Sequence, residues 1–218
     1  MAKVMNPLGS TEARGRIGGR VYNTWRGISY VKDQSSPAQP RSARQLQIRA
    51  WTTMLVRYWG TTLDSTERTL WNDYAVSHPD IDWTGNAKRL SGLNWFVRCN
   101  LRLLNASKVM IESPPSVAGP NALVAFAASN GVLSSVLSWT ATPGTNLSVE
   151  ITHLGVVSAG VQPKIERARY LNTVTGESGQ TSANNLQAGR HWFYARTIDE
   201  ATGLASPWVL DSADVTPT

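Results

Sequence analysis

With 218 residues, 21 Lys and Arg against 15 Asp and Glu, and a net charge of +6, the chain has room for one large or two small globular domains. A hydrophobic fraction of 41% with nine Trp excludes a wholly disordered polymer. Its single Cys excludes an internal disulfide, and no stretch approaches the roughly 18 apolar residues of a membrane-spanning helix.

The charge is unevenly placed. Residues 1–112 hold 16 Lys/Arg against 8 Asp/Glu and six of the Trp, whereas residues 113–218 hold 5 against 7. Before residue 58, ten basic side chains face only Glu12 and Asp33. That density suits an acidic partner, either nucleic acid or an acidic protein surface, and it equally suits a plain solvated face. The start, Met1-Ala2-Lys3-Val4-Met5-Asn6-Pro7, lacks the apolar run of a signal peptide, so synthesis in a cytoplasm is expected.

In chain order, residues 1–20 set Gly9, Gly15, Gly18 and Gly19 among Arg14, Arg16 and Arg20 with few apolar groups, which reads as an extended arm. From Arg20 to Lys32, Val21, Asn23 and Trp25 alternate with Tyr22, Thr24 and Arg26. Gly27 then permits a reversal into Ile28-Ser29-Tyr30-Val31, so a hairpin is predicted. Residues 35–40 read as a loop. A helix follows from near Ser42 to Gly60, with Ile48, Trp51, Leu55 and Tyr58 on one face. Asp64 with Glu67 three residues later starts a second helix, with Leu70, Trp71 and Tyr74 on one side, which His78-Pro79 stops. Ser91 caps a third, through Ala106, whose apolar members are Leu93, Phe96, Val97, Leu101 and Leu104. Cys99 in this run reads as a buried, inert thiol.

Ser113-Pro114-Pro115-Ser116 is a linker, dividing domains 1–112 and 113–218. Beyond it, runs at 122–127, 132–140, 147–153, 165–173, 192–198 and 208–215 alternate with turn residues, which predicts six or seven short strands in a β-sandwich. The fold class expected is α+β in two domains: an arm, hairpin and about three helices, then an all-β sandwich. The register around Trp192 stays open. Counting from Leu186 points Trp192 and Tyr194 inward, and counting back from Gly203 points His191, Phe193 and Ala195 inward.

Residues of known chemistry are scarce. His78, His153 and His191 are far apart in sequence, so no zinc site is expected. Asp80-Ile81-Asp82 lacks the further oxygens and glycine of a calcium loop, and Thr142-Pro143-Gly144-Thr145 reads as a turn rather than a phosphate cradle. There is no P-loop, dinucleotide fingerprint or Gly-x-Ser-x-Gly elbow. The chain is expected not to be an enzyme and to need no cofactor.

Two resemblances sharpen this reading. Pro114-Pro115, Leu137-Ser138-Trp139, Leu186-Gln187-Ala188-Gly189 leading into His191-Trp192-Phe193-Tyr194-Ala195-Arg196, and Gly203-Leu204-Ala205-Ser206-Pro207-Trp208 resemble a fibronectin type III domain, with Ala188 in place of the usual proline. That implies scaffolding or binding. Gly15-Arg16-Ile17-Gly18-Gly19, Gln45-Leu46-Gln47-Ile48-Arg49, Glu67-Arg68-Thr69-Leu70-Trp71-Asn72 and Asn94-Trp95-Phe96-Val97-Arg98 are similar to small virion-associated proteins of tailed bacteriophages and prophages. That likeness implies a virion-associated or assembly protein; the expectation is a structural protein of the particle, a capsid decoration or cement protein ahead of a tail or neck accessory, made in the host cytoplasm, present in many copies and contacting capsid, portal or tail subunits.

The partner-binding residues expected on this basis are Arg14, Arg16, Arg20, Trp25, Arg26, Arg41 and Arg44, docking onto acidic neighbours. In a second reading the interleaved set Arg20, Tyr22, Trp25, Arg26, Tyr30, Lys32, Arg41, Arg44 and Arg49 could track phosphates and stack bases of a nucleic acid. Alternatively, Tyr22, Trp25 and Tyr30 pack on Trp51 and Tyr58. A carbohydrate-adhesion module, with Trp192 or Tyr194 exposed on the sandwich, is a further reading.

Overall fold

The computed structural model describes residues 2–3, 14–35, 42–81, 86–140, 146–157, 160–176 and 178–217. The arm from 4 to 13, the loop at 36–40, Arg41, Asp82 and the expected turn at 142–145 lie outside the described residues. Two units emerge, Met1–Ala43 and Arg44–Thr218.

The first unit is an antiparallel sheet of β1 (Ala2–Lys3), β2 (Gly15–Ile17), β3 (Arg20–Trp25) and β4 (Ile28–Asp33), in the order β1-β4-β3-β2. The expected hairpin is β3–β4. Its turn places Arg26 and Gly27 at φ 49° and 77°, the paired left-handed geometry of a two-residue type I′ turn, whose twist matches that of the strands. Gly15–Ile17, expected as part of a loose arm, is instead a strand in register with β3: Gly15 faces Tyr22, Arg16 faces Val21 and Ile17 faces Arg20.

In the second unit three helices precede the sandwich: α1 (Ala43–Thr61), α2 (Ser65–Ser77) and α3 (Gly92–Asn105). The inward stripe of α1 is the expected one, with Leu55 buried and Ile48, Trp51 and Tyr58 half-buried. Gly60 does not end this helix, which continues to Thr61. The reversal follows, where the Thr62 and Leu63 amides both donate to the Tyr58 carbonyl at 2.9 Å and Leu63 enters the core. Asp64 caps α2 by accepting from the Ser65 amide at 2.7 Å. Trp71, Tyr74 and Ala75 are the side chains this helix buries. Leu70, expected beside them, is 43% exposed because the buried arc centres on Trp71 and Ala75. In α3 the buried stripe is Trp95, Phe96, Cys99 and Leu103, while Leu93, Val97, Leu101 and Leu104 flank it half-buried.

Phe96 is the hub of this core. Rings of Trp59, Trp71 and Tyr58 surround it at centroid distances of 5.5, 5.6 and 6.4 Å, pairings that add about 0.5–1.5 kcal/mol each beyond burial. The buried Asn100 acts as a clamp. Its amide nitrogen donates to the Phe96 and Ile111 carbonyls at 3.0 Å, and its oxygen accepts from the Ile111 amide at 2.7 Å, which returns the chain along α3. Cys99 is buried as expected, and burial pushes its thiol up to about 11, far from reactivity.

A short pair, β5 (Asp80–Ile81) and β6 (Ala87–Lys88), joins α2 to α3. The sandwich comprises β7 (Ala125–Ala128), β8 (Gly131–Val132), β9 (Ser134–Thr140), β10 (Leu147–Leu154), β11 (Arg169–Thr175), β12 (Ser178–Asn184), β13 (Gly189–Asp199) and β14 (Val209–Thr216). One sheet runs β12-β9-β7 and the other β11-β10-β13-β14-β8. Between them lie Leu137, Trp139, Val149, Ile151, Phe193, Ala195 and Val215. This is the two-sheet arrangement of an immunoglobulin-like or fibronectin type III-like sandwich. Strand β12 escapes the hydrophobic pattern because only Ala183 among its described side chains is buried. Residues 165–167 form a 3-10 turn rather than the start of a strand. The register is settled: Phe193 and Ala195 enter the core. His191 shares their side, and Tyr194 is buried on the opposite face.

The loop after β13 links the two halves of this unit. Leu204 belongs to the helical cluster, the Arg102 guanidinium donates to the Gly203 carbonyl at 3.3 Å, and Lys108 pairs with Glu200 at 2.6 Å. Gly203, at φ 69°, lies so close to α3 that a Cβ would sit 2.3 Å from the Cys99 carbonyl oxygen. Gly203→Ala therefore lowers unfolding stability by about 3 kcal/mol in urea titrations. Gly60→Ala, in a helical site with open surroundings, raises it by about 0.5–1 kcal/mol.

Candidate interaction surface

Pairing in the first unit sorts its side chains by face, since directly opposed residues project to the same side. Arg16, Val21 and Lys32 form one row, Asn23 and Tyr30 the next, and Trp25 with Ile28 the row at the turn. The other face carries Ile17, Arg20 and Asp33 in a row, then Gly15, Tyr22 and Val31, then Thr24 and Ser29. The basic charge is thereby segregated. Arg16 and Lys32 share a face with two aromatics and with no carboxylate among the described residues, while Arg20 sits opposite Asp33 on the reverse.

No residue of β2, β3 or β4 is buried. Trp25 is 61% exposed, Ile17 58% and Ile28 42%. The Arg26 guanidinium lies 4.8 Å from the centre of the Trp25 ring, a cation–π contact that holds a cation and a large apolar surface together at the tip. Arg16 Nε donates to the Gly18 carbonyl at 3.1 Å, fixing its stem over the β2–β3 turn.

The expected docking residues thus part company. Arg16, Trp25 and Arg26 cluster on the face or tip just described, and Arg20 lies behind it. Arg14 precedes β2. Arg44 belongs to the second unit, where it bonds Gln47 at 2.8 Å and Asn105, and its guanidinium lies 4.2 Å from the Tyr170 ring. Tyr30, Lys32 and Ile28 join the patch by register. Alternation along β3 and β4 separates the faces, but the contribution of Arg16 depends on β2 pairing, which a three-residue segment does not announce.

Elsewhere the structure joins residues that sequence kept apart. His153 on β10 and His191 on β13 lie side by side, Nε2 to Nδ1 at 2.8 Å, and His191 Nε2 contacts the Gln187 carbonyl at 2.7 Å. Asp80 pairs with Arg98, whose guanidinium holds the carboxyl below the usual range. Among the described residues no cluster of three or more His, Cys, Asp or Glu is placed to hold a metal. Tyr194, one of the two candidate glycan platforms, is buried, and Trp192 is half-buried.

No protein-family model matches the chain, and no curated protein sequence matches it. Among solved structures it is similar to an Fn3-like protein from Clostridium thermocellum, at 14% identity and TM-score 0.34 over 46% of this chain and 96% of that one. It is also similar to the PKD domain of a peptidase from a Thermoplasmatales archaeon, at 13% identity and TM-score 0.30 over 46% and 98%. A family 76 glycoside hydrolase from a Bacteroides thetaiotaomicron strain matches at 12% identity and TM-score 0.34 over 43% of this chain, which spans 20% of that enzyme. Each of these three likenesses covers less than half of this chain, and the sandwich class rests on its own strand order.

The histidine pair makes stability depend on pH. Burial first, then the neighbouring His191 and Arg169, lowers the His153 pKa below its ordinary 6.5. Above 6.5 both folded and unfolded chains are neutral there and the stabilisation is complete. As pH falls below it the unfolded chain takes up the proton first, so stability declines until the lowered folded value is passed. Urea midpoints at about pH 7.5 and about pH 5.5 should differ in that direction, and His153→Gln should shrink the difference.

Proposed function

We propose that the chain is a non-enzymatic structural protein of a bacteriophage particle, a capsid decoration or cement protein, that attaches through the basic-aromatic face of its N-terminal sheet and carries a fibronectin type III-like sandwich. The observation that carries the reading is the sheet itself: β2, β3 and β4 hold no buried residue, and one face bears Arg16, Lys32, Tyr30, Ile28 and Trp25 with Arg26 at its tip. A small sheet gains stability by burying a hydrophobic face, and a partner that covers Trp25 and Ile28 supplies that burial. Acidic groups on the partner would match Arg16, Arg26 and Lys32 and orient the encounter. The resemblance of 15–98 to virion-associated proteins supports a capsid subunit as the partner.

The test is uptake of the purified chain by particles assembled without it. Saturable binding that weakens with added salt is expected. Trp25→Ala should weaken it about tenfold or more, as loss of an aromatic anchor does. Arg16→Ala and Lys32→Ala should each weaken it measurably, while Arg20→Ala, on the reverse face, leaves it nearly unchanged. Absence of uptake contradicts the proposal. Equal binding to duplex DNA at matched salt, lost with the same substitutions, replaces the capsid partner with nucleic acid.

A further inference from the structure

A second charged feature lies wholly within residues 44–218 and is independent of the attachment face. Helices α1 and α3 reach the outer side of the sheet containing β10, β11 and β13, where the Arg44 guanidinium lies 4.2 Å from the Tyr170 ring and the Asn105 amide donates to Thr173 Oγ1 at 3.0 Å. Between them is a cleft of about 430 Å³. Four arginines line it: Arg44 from α1, Arg98 and Arg102 from α3, and Arg196 from β13.

Two carboxylates answer these four cations. Glu150, from β10, holds Arg196 at 2.7 Å through Nε and 2.6 Å through the terminal nitrogen. Asp80 pairs with Arg98 from outside the cleft. Arg44 is held by Gln47 and Asn105, and Arg102 by the Gly203 carbonyl at 3.3 Å, all neutral acceptors. The group therefore carries an excess of two positive charges. Burial, followed by repulsion from Arg196, pushes the Arg102 pKa down to about 10, so it stays cationic at neutral pH while its charge is under-compensated. Cations gathered out of water are stable only when matched by anions and hydrogen bonds.

We propose that this cleft is a binding site for a phosphate group, taken either as inorganic phosphate or as the phosphomonoester of a small organic molecule. A tetrahedral dianion neutralises the excess charge, and guanidinium forks are shaped to hold two of its oxygens at once. Tyr170, with Arg44 already over its ring, and the apolar side chains of Ile48 and Leu101 form a wall on which the organic part of an ester rests.

Titration of the full chain with inorganic phosphate and with phenyl phosphate, followed by calorimetry and by thermal unfolding, tests this against sodium chloride at equal ionic strength. Saturable binding and a raised melting temperature with phosphate but not chloride are expected. Tighter binding of phenyl phosphate than of phosphate assigns the site to esters, and equal binding assigns it to the free ion. Arg98→Gln, at the open edge, and Arg102→Gln should each lower affinity about tenfold. If Arg102→Gln fails to fold, Arg98→Gln and the wild-type comparison decide. Identical responses to phosphate and chloride, or unchanged affinity in a folded Arg98→Gln chain, would overturn the proposal.

Discussion

The second unit depends on one close approach. Gly203 presses its α-carbon against the Cys99 carbonyl of α3, and Leu204 beside it fills the cluster built around Phe96. No other residue tolerates both the left-handed backbone and the missing space. Around that seat the polar contacts fall into place: Arg102 on the Gly203 carbonyl, Lys108 on Glu200 and Asn105 on Thr173. Helices and sandwich are thus packed as one body, although Pro114 and Pro115 separate them in sequence.

This packing explains what the chain did and did not disclose on reading. The stripe Ile48, Trp51, Leu55 and Tyr58 was legible because helical period alone sets it. In α3 the buried line is Trp95, Phe96, Cys99 and Leu103; the pattern names Phe96, but the rest is displaced from the aliphatic residues that look most hydrophobic, because a loop some hundred residues later supplies Leu204 to that side. Strand β12 is built of small and polar residues at the edge of its sheet, so neither period nor propensity marks it. The ambiguity at Trp192 was a one-residue slip, and only the partner strands β10 and β14 decide it.

The candidate surfaces show the same division. That the N-terminal segment was basic and aromatic could be counted. That Arg16, Lys32, Tyr30 and Trp25 share a face while Arg20 sits with Asp33 required the β2–β3 and β3–β4 registers. Arg44, grouped with these by sequence proximity, instead bridges α1, α3 and β11 and belongs to the arginine-lined cleft. One run of positive charge therefore serves two physical ends. An exposed set on strands β2 to β4, none of whose residues is buried, is suited to contact a partner, and a half-buried set around the cleft is suited to enclose a small anion. The histidine pair belongs to neither surface, and its consequence is a pH-dependent sandwich.

Attachment through one face of the first sheet is the central claim. Hydrogen exchange followed by mass spectrometry, on the free chain and on the chain incubated with particles assembled without it, tests it most directly. Amides of residues 20–33 should gain protection on binding, while those of β9 and β12 in the sandwich exchange as in the free protein. Protection gained on β9 and β12, with residues 20–33 unchanged, would place the attachment on the sandwich and contradict the account.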